Sequence, residues 1–377
     1  MKTYDVIVIG AGGWGSATLY HLARRGLQVC GIEQFGLGHD RGSSHGESRV
    51  IRMAYFQHPD YVPVLRRAYE LWRELETEAG QRLMTLPGLL CIGEPGSGLI
   101  RGLEACYATH DLPHERWTAA EARRRYRQFQ IGDEFTCYWD SLGGYLNADA
   151  SVRAHQQLAQ RRGAVLFPGD QVTGLDASEK GVIVHTTART LHAARVVVTT
   201  GAFSGSLYPA LVAPVRKVLF WYRIAQPEGF DPGRFPVWIA QASGLNYYGF
   251  PTLDGATVKC AEDTGGQALA NPREIPPKLQ PEDEGKLRPF LDSLFGAQIG
   301  ERAAFKTCIY ETTKNLDFIV DHDPTRPSVV FAFGGSGHGF KFCSAIGEMA
   351  ADLVEKGQSK LRPDLFTLRD HRSHQSR

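Results

Sequence analysis

The stretch Asp5–Phe35, DVIVIGAGGWGSATLYHLARRGLQVCGIEQF, decides the fold. It reads as a strand, a glycine turn, a helix, a second strand and then an acid. Asp5 to Ile9 is a short β-branched run. Gly10, Gly12 and Gly15 form G-x-G-x-x-G where that run meets a helix over 13–25, and Gly26 is placed to stop the helix. Glu33 closes the next apolar run, 23 residues after Gly10. Gly10 permits the tight turn, Gly12 lets the backbone approach a pyrophosphate, and Gly15 lets the helix pack close to the strand. The helix N-terminus offers N–H groups and a partial positive charge to phosphates. Glu33 can accept hydrogen bonds from both ribose hydroxyls and would repel a 2′-phosphate. The unit predicts a bound ADP moiety and argues against NADP. By itself it leaves FAD and NAD open.

Working outward, 377 residues suffice for two or three domains, and 42% hydrophobic with 22% charged residues is ordinary for a globular chain. Forty-two basic residues against 41 acidic ones leave a net charge of +1, so no polyanion-binding face is indicated and nucleic acid is not an expected partner. The apolar Val6–Ile9 gives way at once to the glycine turn, as a strand does and a leader core does not. No run of 18 apolar residues predicts a membrane span. Seven scattered cysteines, without C-x-x-C or a Cys/His cluster, fit a reducing cytoplasm and argue against a structural metal.

Residues 36–52, GLGHDRGSSHGESRVIR, read as a polar, glycine-rich loop, and a long helix follows near 60–78 with Val64, Leu65, Ala68, Leu71, Trp72 and Leu75 on one face. Short strands are predicted at 89–92 and 136–139, then a helix over 147–162 capped from Asn147 or Asp149. Short β runs at 164–167, 171–175 and 181–187 precede a return strand at 194–200. Several long alternating runs between 217 and 262 read as an antiparallel sheet. A Pro-rich linker spans 270–284, a helix lies near 284–295, and the chain closes with strand, glycine loop and helix. The expected organisation is a discontinuous nucleotide domain (1–80, 147–216 and 309–377) with a second domain inserted as 81–146 and 217–308.

Four further clusters carry chemistry. In GSSHGESRVIR, residues 42–52, Ser43, Ser44 and the glycine backbone can line phosphates or a ring edge. Arg49 and Arg52 are three apart and would share a face on a helical turn. Lys259 sits between Val258 and Cys260 in a strand; most lysines face solvent, but one facing a domain interface is a fixed charge beside a cofactor. Cys308 lies in KTCIYETTKN and, taken alone, is a small hydrophobe. GGSGHGFKF, residues 334–342, feeds the last helix, so its glycines suit a negative charge; His338 and Lys341 lie in the same loop.

In this order, GSSHGESRVIRMAY, YYGFP, VKCAED, CIYETT and GGSGHGFKF resemble the monomeric sarcosine oxidase and N-methyltryptophan oxidase family over nearly the whole chain, from Tyr4 to about Leu361. The resemblance implies an α/β fold: a glutathione-reductase-type FAD-binding domain plus a substrate domain with a large antiparallel sheet. It implies FAD attached through the sulfur of Cys308. It places Gly10, Gly12, Gly15, Glu33, Ser43, Ser44, His45, Gly337, Gly339 and Lys341 around the cofactor, with Val172 against the adenine. Arg52 and Lys341 would hold a substrate carboxylate, and Arg49 and Lys259 would lie near the flavin, Lys259 serving the reaction with oxygen. Tyr248, Tyr310 and His338 would line the substrate pocket. A small N-alkyl amino acid and O2 are the implied partners, and a monomer the implied state. The family carries a histidine four residues after that lysine, where this chain has Asp263, which makes larger or more cationic N-alkyl amino acids candidates. Three other readings share much of this pattern: an oxidase of primary or cyclic amino acids, an NAD-linked dehydrogenase, and a non-oxidase subunit of a larger flavoprotein.

Overall fold

The structure is a computed structural model that describes residues 3–178, 180–208 and 211–373. Its first sheet has eight strands around the opening motif. The parallel core runs Val165–Pro168, Val29–Glu33, Thr3–Ile9, Thr190–Val198 and Val329–Phe333. The return strand Thr190–Val198 also closes an antiparallel meander with Val172–Ser178 and Gly181–Thr186. Near-continuous burial of Ile7, Val8, Val196, Val197, Val330 and Phe331 explains why these strands lack polar alternation: helices or the meander cover both faces.

Helix Gly13–Arg24 follows the glycine turn and packs against helices Ala148–Arg161 and Cys343–Lys356. It stops at Gly26, whose φ of 85° a side chain would strain. Helix Tyr61–Ala79 buries all six residues expected on its apolar face. Asn147, not Asp149, caps Ala148–Arg161 by accepting from the Ala150 N–H, while Asp149 accepts from the Glu47 N–H instead. The helix expected near 284–295 begins later, at Leu287.

The second sheet has nine strands. Ala213–Ile224 lies between Thr257–Glu262 and the long strand Ile299–Thr312, both antiparallel to it. The sheet continues through Leu245–Gly249, Val237–Ala242, Leu89–Gly93, Thr136–Asp140 and Glu115–Thr118. One pair departs from the antiparallel expectation: Val237–Ala242 runs parallel to Leu89–Gly93. The segment boundaries expected at 216/217 and 308/309 fall within strands Ala213–Ile224 and Ile299–Thr312.

The segment read as loop 36–52 is corrected at its end. Ser48–Ile51 is a strand, antiparallel to Gly144–Asn147 in a small third sheet. Arg49 and Arg52 therefore do not share a helical face. No helix among the described residues is long and apolar enough to cross a membrane, and no cluster among them can hold a metal ion.

Candidate active site

At the carboxyl ends of the parallel strands lies a cavity of about 870 Å³, lined by Gly10, Gly12, Glu33, Ser43, Ser44, Arg49, Val172, Tyr310, Glu311, Gly337 and Gly339 among others. Open α/β sheets bind ligands at this edge. The glycines divide their work as the motif demands. A Cβ on Gly15 would lie 1.8 Å from the Gly10 carbonyl, so this position serves strand–helix packing and does not line the cavity. A Cβ on Gly10 would meet the Thr199 carbonyl at 2.5 Å, and its φ is 93°. A Cβ on Gly12 would meet only Ser44 Oγ, at 3.5 Å. The protein itself would tolerate a side chain there; what one would fill is the cavity.

The helix beginning at Gly13 has no acid in its first turn, and the Gly13 N–H donates to Ser44 Oγ. That end suits a phosphate. Glu33 accepts from the Ala11 and Phe35 N–H groups, one on each oxygen, with His39 Nε2 at 3.3 Å. Burial opposes its charge, but these bonds hold its pKa below the ordinary carboxylate value. A carboxylate has about four lone-pair positions, so Glu33 keeps capacity for a ribose hydroxyl. These features fit the ADP half of FAD.

A smaller cavity, of about 70 Å³, shares Arg49, Tyr310, Gly337 and Phe340 with the first. Cys308, Arg52, Tyr248, Asp263, His338 and Lys341 line it. Cys308 is buried opposite Lys217 in the strand pair, and Arg49 Nη2 lies 3.7 Å from its sulfur. Arg52 and Lys341 are buried cations over the Tyr55 ring, at 4.4 and 5.3 Å from its centroid. Arg52 gives one nitrogen to Gln57 and leaves Nη1 buried without a partner. Lys341 donates to the His338 carbonyl at 2.7 Å. Burial, then Arg52, pushes the Lys341 pKa well below its ordinary value. A buried guanidinium with an unused N–H, beside a lysine whose charge a bound anion would restore, is an arrangement suited to an anion.

Asp263 is the only carboxylate among the described residues that line this cavity. It accepts from Tyr310 Oη at 3.1 Å, and Tyr248 lines the same cavity. Lys217 Nζ binds the carbonyls of Asp263, Thr264 and Gly265, fixing the turn that presents the carboxylate.

Three expected residues are placed differently. Lys259 is buried but lines neither cavity. Its ammonium binds the Gly46 and Ser48 carbonyls at 2.6 and 2.7 Å, tying down the strand that carries Arg49. His45 also lines neither cavity: Ser43 and Ser44 face the larger one, while the His45 ring is buried aside. Burial and Arg49 lower its pKa to about 4, so it is neutral. Lys341 lines only the smaller cavity, so it sits with the anion site and not along the nucleotide. His338 does line the smaller cavity, yet both ring nitrogens are engaged, Nδ1 with Tyr55 Oη and Nε2 with the Leu316 carbonyl. Burial lowers its pKa to about 3, which excludes it as a base near neutral pH.

Sequence reasoning passed over Thr199, whose hydroxyl binds the Ile9 and Gly10 carbonyls and braces the glycine turn. Its place at the carboxyl end of a parallel strand was the available signal. Gln57 and Glu311 were also missed, and nothing in their local pattern marks them.

A nucleotide cavity of this form, opening onto a small cationic pocket through shared walls, fits a flavin-dependent oxidoreductase. The model of the FAD dependent oxidoreductase family matches residues 5–353, and the chain belongs to that family. Among its relatives, the monomeric sarcosine oxidase of Streptomyces avermitilis is 37% identical over 97% of both chains. The N-methyl-L-tryptophan oxidase of Yersinia pestis is 32% identical over 97% of this chain and 98% of its own. Of solved structures, NikD, an unusual amino acid oxidase essential for nikkomycin biosynthesis, superposes with a TM-score of 0.86 over 97% of this chain and 98% of its own. At 24% identity that likeness speaks to the fold alone.

Proposed function

We propose that this chain oxidatively demethylates N-methyl amino acids, in the manner of the sarcosine oxidases it resembles: R–NH–CH3 + O2 + H2O gives R–NH2, formaldehyde and H2O2. The observation that carries the reading is the buried pair Arg52 and Lys341, with Arg52 Nη1 unpaired, beside Cys308 where the two cavities meet. FAD, when bound, supplies the acceptor for the two electrons and passes them to O2.

The chain's own residues position and polarise. Arg52 and Lys341 clamp the substrate carboxylate, which fixes the orientation of the N-methyl group. Phe56, Tyr247 and Tyr248 wall the pocket against water. Cys308 is the point of cofactor attachment, Arg49 a fixed positive charge beside it, and Val172 a wall residue at the adenine end. Lys259, held behind Arg49, contributes charge to the oxidative half of the cycle while anchoring residues 46–48. Asp263 faces the part of the substrate beyond the carboxylate and favours a substituent that carries a positive charge or donates hydrogen bonds. The proposed enzyme acts as a monomer in the cytoplasm.

Peroxide and formaldehyde released by the purified protein are to be measured on sarcosine, on bulkier and on cationic N-methyl amino acids, and on glycine, pipecolate and proline. Equal amounts of both products from an N-methyl substrate are expected. Peroxide without formaldehyde, from primary or cyclic amino acids only, would transfer the assignment to an oxidase of those compounds. Absence of turnover by the isolated chain would favour a subunit role.

A further inference from the structure

The mechanism above leaves a buried, cavity-lining acid unused. Glu311 stands three residues after Cys308, at the end of strand Ile299–Thr312, with its side chain in the wall of the larger cavity. Oε1 accepts from the Gly335 N–H at 3.2 Å. Oε2 is buried and has no partner. A Cβ on Gly201 would come within 3.3 Å of Oε2, so the turn after strand Thr190–Val198 crowds it from one side. Tyr310 flanks it on its own strand. The Gly334–Ser336 turn, the Gly201 turn and Cys343 at the start of the last helix face it elsewhere, and no ion pair among the described residues includes it. An ionised carboxylate with no counter-charge, and with only the N–H groups of the Gly334–Gly335 turn beside it, is costly to bury. The oxygen facing N–H groups must be the acceptor, so the proton belongs on Oε2. Burial accordingly raises the Glu311 pKa to about 7.

We propose that Glu311 is a cofactor ligand: its protonated carboxyl donates from Oε2 to an oxygen of the bound FAD, so that the chain takes up a proton as it loads its cofactor. Its place supports an oxygen between the two ends of the cofactor. Gly335, which meets Glu311, also lies against Trp14 in the first turn of the phosphate-binding helix, while Cys308 is three residues away on the other side. Donation from Oε2 completes the pairing of an otherwise orphaned group, as buried polar atoms require. Above the pKa the proton is lost, the bond cannot be donated, and an unpaired anion is shut into the cavity. FAD affinity should then fall.

The test is FAD binding by apoprotein in a Cys308→Ala background, followed by flavin fluorescence quenching between pH 6.5 and 8.5, with calorimetry in two buffers of different ionisation enthalpy. With Glu311 intact, the dissociation constant should rise about tenfold across that range, and calorimetry should show proton uptake near the upper end. Cys308→Ala/Glu311→Gln keeps a neutral donor at the same place. It should bind FAD with little pH dependence, and more tightly than its parent at pH 8.5. Cys308→Ala/Glu311→Leu should lose about tenfold at pH 6.5. If the leucine variant does not fold, the glutamine comparison decides alone. Identical pH dependence with Glu and Gln at 311, or undiminished binding by the leucine variant, would overturn the proposal. The result is independent of the covalent link: if wild-type protein itself releases FAD on acid precipitation, the same titration is run with Cys308 in place.

Discussion

Replacing Arg52 with alanine tests the carboxylate clamp most directly. The Arg52 guanidinium is 3% exposed and lies between the rings of Tyr55 and Phe56, at 4.4 and 3.9 Å from their centroids. One nitrogen is fixed by Gln57 at 2.7 Å, so the unpaired Nη1 is aimed without further loss of freedom. A hydrogen bond to a charged group contributes about 1.5–3 kcal/mol. At about 1.4 kcal/mol per factor of ten, its loss should lower kcat/KM for an N-methyl amino acid by about 10- to 150-fold. Most of this should appear in KM, because the carboxylate is held throughout the reaction. Lys341 remains, so binding should weaken without vanishing. Arg52→Lys should recover only part, because an ammonium cannot reproduce the stacked, planar fork. The assay is steady-state peroxide production on each acid and on its amide, with flavin absorbance checked in every variant. If the Arg52→Ala variant loses as much on the amide as on the acid, the arginine is shaping the pocket and the carboxylate clamp is refuted.

Further outcomes follow from the same geometry. Acid-precipitated wild-type protein should stay yellow and Cys308→Ala should release its flavin; free FAD in the wild-type supernatant would exclude the thioether. Lys259→Met should slow reoxidation of the reduced enzyme by about 10²-fold, far more than its anaerobic reduction by substrate. Stopped-flow traces in which both half-reactions slow equally would instead assign Lys259 to anchoring Gly46 and Ser48. Asp263→His should shift the ratio of kcat/KM values toward sarcosine and away from cationic N-methyl amino acids by about tenfold or more, and an unchanged ratio would remove Asp263 from specificity.

What the sequence made legible is what local rules govern. The glycine turn, its helix and Glu33 were readable because each glycine answers to a steric demand within one supersecondary unit, and the structure shows those demands at Gly10 and Gly15. The apolar face of Tyr61–Ala79 was readable because helical periodicity and burial coincide there. Ser48–Ile51 was not, because Val50–Ile51 is too short a β-branched run, in a glycine- and serine-rich stretch, to mark a strand. Its extended form comes from a partner almost a hundred residues away, Gly144–Asn147, and from the Lys259 ammonium holding its carbonyls. The parallel pairing of Val237–Ala242 with Leu89–Gly93 is likewise a product of chain crossover, which alternation within either segment cannot report.

The site divides along the same line. Motifs far apart in the chain converge, since Arg49, Arg52, Cys308, Tyr310, His338 and Lys341 line one pocket. They did not reveal what each group has left to offer. His338 and Lys259 are chemically eligible by type, yet their polar atoms are already committed to Tyr55, Leu316, Gly46 and Ser48. Arg52 and Glu311 each retain a buried polar atom without a partner, and both of those atoms belong to cavity-lining side chains. Burying such an atom is unfavourable unless something completes it. Unspent hydrogen-bonding capacity is therefore the sharper guide to function here than residue type. On the proposals above, it suits one cavity to an anion and the other to an acceptor oxygen, which are the two demands that an amino acid and a dinucleotide cofactor would each meet.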